Sequence, residues 1–408
     1  MIRLTTAFLF ITLSVNAIAY DLDNRLRQII DIYKLEPLEC NIDHDKDLAD
    51  IGEIFFNTDS LSGEGDIGCH TCHLEEKSFT DGLPVSIGVG GSGKLADRVA
   101  SNGILVPRNS FTLKGRGQKN FNAFFWDGKS EQSSGHNFTS PFGFANEKYD
   151  SLLAVAASLP IIARDEFLGV EGLYENSMLK NVDDAYFEDK FREVSAILNN
   201  KIFTSPEKDL KEAKVKFQQL GFIEVTLADI GNALAAFIQR DFSCVSTQWN
   251  DYLHGDLEAL TEEQKEGAII FYSEAKCAAC HSGSLLSDFK YHSIAAPQGS
   301  VGVSALSQDL GRANVTYNDA DRFKFRTPPL LFVSHTEPYG HAGQFSTLSE
   351  VLLHHVNPVA FLQNYKWTSD KEMIQYGKIL GSRSNFFKYV DLNNNNELHK
   401  IEQYLNAL

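Results

Sequence analysis

Positive charge is in deficit along this chain. Lysine and arginine number 37 against 54 acidic residues, for a formal net charge of −17, which argues against a nucleic-acid ligand and for a surface that suits a basic redox partner. Long apolar runs are missing beyond the N-terminus, so no stable membrane insertion is expected. Strand-like alternation is scarce, which excludes a mainly β fold. Only 11 of 408 residues are proline and 43% are hydrophobic; this is neither a disordered nor a fibrous composition, and the length suggests two domains.

The exception to the shortage of apolar runs is residues 1–19. Arg3 is the single charge there, Ala7-Phe-Leu-Phe-Ile-Thr-Leu13 follows, and Ala17-Ile-Ala19 places small residues ahead of Tyr20. This is the pattern of a secretory signal cleaved near Ala19 and implies a periplasmic location; a membrane anchor needs a longer stretch. Cysteine is also sparse, with six in all. Four fall into two Cys-x-x-Cys-His pentads, leaving Cys40 and Cys244. In an oxidising compartment these two either pair or remain as buried thiols, and sequence separation does not decide between them.

The pentads belong to a duplicated unit. Residues 47–58 read as a helix leading into Cys69-His-Thr-Cys72-His73, and residues 261–275, opened by a Thr261-x-x-Gln264 capping box, lead into Cys277-Ala-Ala-Cys280-His281. Between them come Gly-rich loops at 81–94 and 112–117, then helical stretches near 148–160, 183–200, 206–219 and 225–240. A long irregular segment reaches about residue 345, followed by a helix from Thr347 and another at the end of the chain. The expected fold is mainly α, with two cytochrome-c-like haem domains and long irregular loops. The domains are expected at 20–243 and 244–408 after the 1–19 signal.

A c-type haem is held by thioethers from two cysteines one helical turn apart, with the next histidine beneath the iron. A zinc site or a thioredoxin-like pair does not explain why histidine follows both cysteine pairs. Cys69, Cys72, Cys277 and Cys280 are therefore expected to carry two haems c, with His73 and His281 as proximal iron ligands. What separates a catalytic haem from an electron carrier is the opposite face, which either admits substrate or is closed by a sixth ligand.

Around the pentads the chain resembles the family of bacterial dihaem cytochrome c peroxidases and MauG. The stretches that carry the resemblance are Leu61-Ser-Gly-Glu-Gly65, Phe79-Thr-Asp-Gly-Leu-Pro84, Pro107-Arg-Asn-Ser110, Phe125-Trp-Asp-Gly-Lys129, Phe325-Arg-Thr-Pro-Pro-Leu330 and Pro338-Tyr-Gly-His-Ala-Gly343. They occur in the family's order over most of residues 45–408. In the peroxidases a loop histidine closes the first haem at rest; here Val89 falls at that place, which implies a five-coordinate first haem. The resemblance puts Glu147, six residues after Pro141, in the role of the distal glutamate that moves protons during peroxide cleavage. About ten residues earlier, where the family has glutamine, this chain reads Gly135-His136-Asn137, so His136 is a second proton carrier, an iron ligand in some states or a surface histidine. Trp126 matches the family's tryptophan between the haems.

The second haem should be capped from the helix that Thr347 and Glu350 open. Leu348, Val351, Leu352 and His355 share its apolar face, with His354 at the flank. The family has methionine or tyrosine at the matched position, so His355 as a ligand is a departure from it. By resemblance, Asn109, Thr336 and Pro338 hold a calcium ion, whose preference for oxygen they satisfy, and His341 hydrogen-bonds near a haem. The Asn393–Asn396 run lacks the glycine and spacing of an EF-hand and reads as a polar turn.

Three functions compete. One is a MauG-like enzyme in which hydrogen peroxide oxidises the open haem and a partner protein supplies electrons from a side chain. Another is peroxide detoxification with a small cytochrome or cupredoxin donor, and the last is plain electron transfer through two closed haems.

Overall fold

The computed structural model describes residues 21–133, 138–169, 187–244, 246–299, 308–367, 369–389, 392 and 395–408. The expected signal, His136, and Asn393 and Asn394 lie outside the described residues. The fold is mainly α, and its strands are short. One antiparallel sheet joins Ala123–Phe124, Ser130–Gln132 and Phe138–Thr139 in chain order, with Glu131 opposite both Ala123 and Thr139. A second pairs Tyr291–His292 with Phe325–Arg326.

The first core forms where the helix Lys46–Asn57 crosses the helix Leu227–Phe242. Asp45 caps the first of these by accepting from the amides of Asp47 and Leu48. Gly52 sits at the crossing, where a Cβ would stand 2.0 Å from the carbonyl oxygen of Ala233; only glycine lets the backbones approach this closely. Helices Leu152–Ser158, Phe187–Thr204 and Lys208–Gln219 complete this core.

The second core repeats the device. The helix Glu262–Tyr272 has the full Thr261/Gln264 capping box, with both reciprocal bonds formed. It crosses the terminal helix Asn395–Leu405 at Gly267, where a Cβ would meet the Lys400 carbonyl oxygen at 1.9 Å. Trp249, Tyr252, Phe271, Tyr272 and Tyr404 fill this core. The helical stretch 21–33 falls in the part of the chain expected for the first domain, yet it packs here, through Leu22 and Leu26, with Leu35 just beyond it.

Three links join the halves. Cys40 and Cys244 form a disulfide. Arg108 donates to Asp127 at 2.6 Å and, in a fork, to Asp309 at 2.8 and 3.0 Å. Arg312 contacts Glu131, which also accepts from the Tyr291 hydroxyl at 2.6 Å. No helix among the described residues is long and apolar enough to cross a membrane.

Candidate active site

Each pentad lines a cavity. Residues 69–72 form one helical turn, which the Thr71 hydroxyl fastens by accepting from the amide of Gly68 at 3.0 Å; Cys277–Ala279 is a 3-10 turn. Burial pushes the thiols of Cys69, Cys72 and Cys277 up to about 12, opposite to the depressed thiol of a redox-active pair.

The two histidines are oriented in the same way. Nδ1 of His73 donates to the carbonyl of Phe79 at 2.8 Å, and Nδ1 of His281 to that of Leu286 at 3.0 Å. Both carbonyls come from residues in left-handed backbone, Phe79 at φ 61° and Leu286 at φ 52°. Tying Nδ1 as donor leaves Nε2 with its lone pair free for a metal. Burial holds His73 below the usual imidazole range and His281 down to about 4, the latter helped by repulsion from His355. Both rings are neutral, which is the ligating state. The duplication thus extends to the carbonyls behind each histidine, a feature that sequence reading missed because neither phenylalanine nor leucine signals left-handed backbone.

The cavities differ opposite these histidines. The first is the roomier, about 910 Å³ against about 250 Å³, which leaves space for a small substrate. Among the described residues lining it, His73 is the sole histidine, and methionine and tyrosine do not occur. Val89 is buried and fixed by its backbone, its amide donating to the Asp165 carbonyl at 2.9 Å and its carbonyl accepting from Ile104 at 3.0 Å. A valine side chain offers no ligand atom.

In the second cavity His355 lies with His281 among the lining residues, together with Leu348, Val351 and Leu352 of the same helix face. Nδ1 of His355 donates to the Val351 carbonyl at 2.8 Å, again freeing Nε2. His354 departs from the expected flank position. It is fully buried on the other side, its Nε2 bonded to the Ile294 carbonyl at 3.0 Å and its ring between Phe345 and Phe361. The helix Pro358–Asn364 folds over that side and encloses it.

The acid–base groups are distributed differently from the sequence expectation. Glu147 is exposed on the 3-10 turn Gly143–Lys148 and is not among the residues that line either cavity. Glu166 does line the first cavity, from a π-helical turn, Arg164–Leu168. That turn packs on the Val89 loop: a Cβ on Gly88 would stand 1.7 Å from the Asp165 carbonyl oxygen. Burial pushes the Glu166 carboxyl up to about 7, with Lys129 opposing the rise and Asp165 adding to it. π turns are rare and cluster at functional sites, but they leave no periodic trace in sequence.

Asn109, Phe111, Arg116 and Trp126 line both cavities and so form the wall between them. The Trp126 indole donates to the Asn109 carbonyl at 3.0 Å. The Asn109 side-chain amide donates to the Leu83 carbonyl at 2.8 Å, turning its oxygen away from that bond. Thr336 and Pro338 line the second cavity together with Asn109, and among the described residues no hydrogen bond takes up either of their carbonyls. Such an oxygen set fits a hard cation. His341 stacks on Phe325 at 3.8 Å, and burial lowers it to about 4.

Two cavities, each lined by a neutral histidine and a thiol pair and sharing an aromatic wall, define a two-haem redox protein. The comparisons make this specific: the di-haem cytochrome c peroxidase family model matches residues 46–258, and the chain belongs to that family. It is 24% identical over 327 residues to the cytochrome-c peroxidase IdrP2 of Denitromonas iodatirespirans, covering 75% of this chain and 72% of that one. It is 27% identical over 309 residues to the methylamine utilization protein MauG of Methylorubrum extorquens, covering 75% and 67%. Among solved structures, a MauG-like protein associated with microbial copper homeostasis matches with TM-score 0.59 and 21% identity over 92% of this chain and 93% of that one. The dihaem peroxidase BthA of Burkholderia thailandensis matches at 0.56 and 17%, over 92% and 89%. At these identities the structural matches speak for the fold alone. The chain is a dihaem peroxidase-type oxidoreductase, and its family implies two haem cofactors. The residues present fit that group on a further ground, since a guanidinium nitrogen of Arg116 is buried in the shared wall without a hydrogen-bond partner.

Proposed function

We propose that this chain is an exported, periplasmic dihaem peroxidase that reduces hydrogen peroxide at the His73 site and draws electrons, by way of the His281 site, from a partner protein in MauG-like fashion. The observation that supports it is the asymmetry of the cavities: His355 stands with His281 in the second, while the first has no second histidine, methionine or tyrosine among its described lining residues. Cys69, Cys72, Cys277 and Cys280 attach the haems as thioethers, and Asn109, Thr336 and Pro338 hold a calcium ion between the halves.

When bound, the haems supply the electrons for two-electron reduction of peroxide to water. The chain's own groups supply the rest. Glu166 in its carboxylate form accepts a proton from incoming peroxide and, once protonated, donates it to the departing oxygen. The aromatic and aliphatic side chains of the first cavity, Phe56, Phe111, Ile161 and Leu234 among them, keep bulk water from competing. Trp126 lies in the wall as the bridge for electron transfer between the two sites. This reading gives the proton-moving role to Glu166 in place of Glu147, which is exposed on its turn.

A resting-state electron paramagnetic resonance spectrum of the purified protein tests the asymmetry. One high-spin and one low-spin ferric signal of equal weight are expected; two low-spin signals mean that both irons are closed and reduce the protein to electron transfer. Mixing peroxide with reduced cytochrome c then separates the remaining readings. Slow turnover supports oxidation of a partner side chain, whereas rapid turnover supports detoxification with a small donor.

A further inference from the structure

We infer that Arg116 and Arg326 are a carboxylate-binding pair for the haem propionates, with Arg116 shared between both haems. This rests on the family's two haems and is independent of the peroxide reading. Arg116 is buried at 4% exposure and lies in the wall common to both cavities. Its Nε donates to the Thr112 carbonyl at 2.8 Å, and its guanidinium packs over Phe111 and Phe121 at 4.1 and 4.6 Å. Nη1 is buried and has no partner. Arg326 is equally buried and lines the second cavity, donating to the carbonyls of Phe125 and Thr327 at 2.9 and 3.0 Å. Among the described residues neither arginine has a carboxylate within ion-pair distance.

A buried cation without a counter-charge is destabilising, and here burial, with repulsion from Arg326 behind it, weakens the hold of Arg116 on its proton, while burial does the same to Arg326. Elsewhere the chain resolves the same problem internally. Arg108 is clamped between Asp127 and Asp309. Arg98, which lacks an acid, satisfies Nε, Nη1 and Nη2 on three carbonyls and lines neither cavity. Arg116 and Arg326 alone among these point unneutralised cationic surface into the haem cavities. A guanidinium fork is matched in geometry and charge to a carboxylate, and each haem carries two. Arg116 thereby fixes the edges of both haems to one point, and its charge raises both reduction potentials by disfavouring the more positive oxidised iron.

The test is potentiometric titration of the holoprotein, with two haems per chain verified first, across a pH series. Arg116→Gln should lower both midpoint potentials and make both pH-dependent near neutrality, as the released propionates titrate. Arg326→Gln should lower the second alone, Arg116→Lys should restore most of the wild-type values, and exposed Arg192→Gln should change nothing. Wild-type potentials should be flat through neutral pH and insensitive to added chloride or phosphate. The inference is overturned if Arg116→Gln with both haems moves neither potential or only one. Should that variant fail to load haem, the wild type and Arg116→Lys decide: a neutral-pH slope or a dependence on added anions in the wild type means the pair binds solvent anions instead. Fewer than two haems in the wild-type protein sinks the family reading, a separate outcome.

Discussion

A carboxyl group that faces an enclosed cavity keeps its proton to a higher pH than one in water, because burial penalises the charged form. Glu166 is in that position and its carboxyl titrates near 7, where a group is best placed to act as both base and acid. The base is the ionised form, so the rate of peroxide cleavage should rise with pH through about 7. Glu166→Gln should flatten that profile and slow cleavage by ~10²–10⁴-fold, with haem content unchanged; stopped-flow mixing with peroxide measures both. Glu147→Gln should leave rate and profile nearly as they are, and the reverse ranking would return the role to Glu147. The sequence reading reached Glu147 through its spacing from Pro141, because a matched spacing is visible in a sequence whereas the direction a side chain takes from an irregular turn is not. The pentad histidines were legible because their chemistry requires a contiguous motif. Glu166 required the π turn at Arg164–Leu168 and the packing of Gly88 against it, neither of which has a local signature.

Helices were the most legible elements, since their periodic faces and caps are local. The stretches expected near 148–160, 183–200, 206–219 and 225–240 appear as Leu152–Ser158, Phe187–Thr204, Lys208–Gln219 and Leu227–Phe242. The helix Leu348–Val356 shows both the reach and the limit of such reasoning. Its apolar face lines the second cavity as the spacing required. Its capping box is only half formed, because the Glu350 carboxylate accepts from the Ser346 amide and not from Thr347. The adjacent histidines then divide by direction: His355 lines the second cavity with His281, and His354 serves the packing of the helix behind. His355→Met should therefore raise the second haem's reduction potential while keeping it low-spin, as methionine ligation does relative to histidine. His354→Leu should leave the spectrum alone and cost about 1–3 kcal/mol of stability by stranding the Ile294 carbonyl. Loss of the low-spin signal in the His354 variant, with its retention in His355→Met at an unchanged potential, would exchange the two assignments.

At the scale of the whole molecule, the chain closes on itself in a way that sequence could only leave open. Whether Cys40 meets Cys244 depends on where two strands of backbone 204 residues apart return to, and no local pattern encodes that. They return to one place because they flank the stretch from Leu38 to Phe242, which supplies all of the first core's buried residues except Leu285 and Leu331. The Gln118 side chain donates to the carbonyls of both Glu39 and Ser243, at 2.9 and 2.6 Å. Asn250 accepts from the Leu38 amide at 2.7 Å. The bridge thus locks a junction that hydrogen bonds already hold, and its main effect falls on the unfolded chain, whose freedom a loop of this length restricts by up to about 5 kcal/mol. The double variant Cys40→Ser/Cys244→Ser should accordingly bind both haems and give the wild-type resting spectrum, while its unfolding free energy in denaturant falls by ~3–5 kcal/mol. A reductant should lower the stability of the wild type toward that of the variant and leave the variant unaffected. Equal stability of the two proteins under oxidising conditions would show that the hydrogen bonds of Gln118 and Asn250 suffice, and would remove one reason for such a chain to need an oxidising compartment.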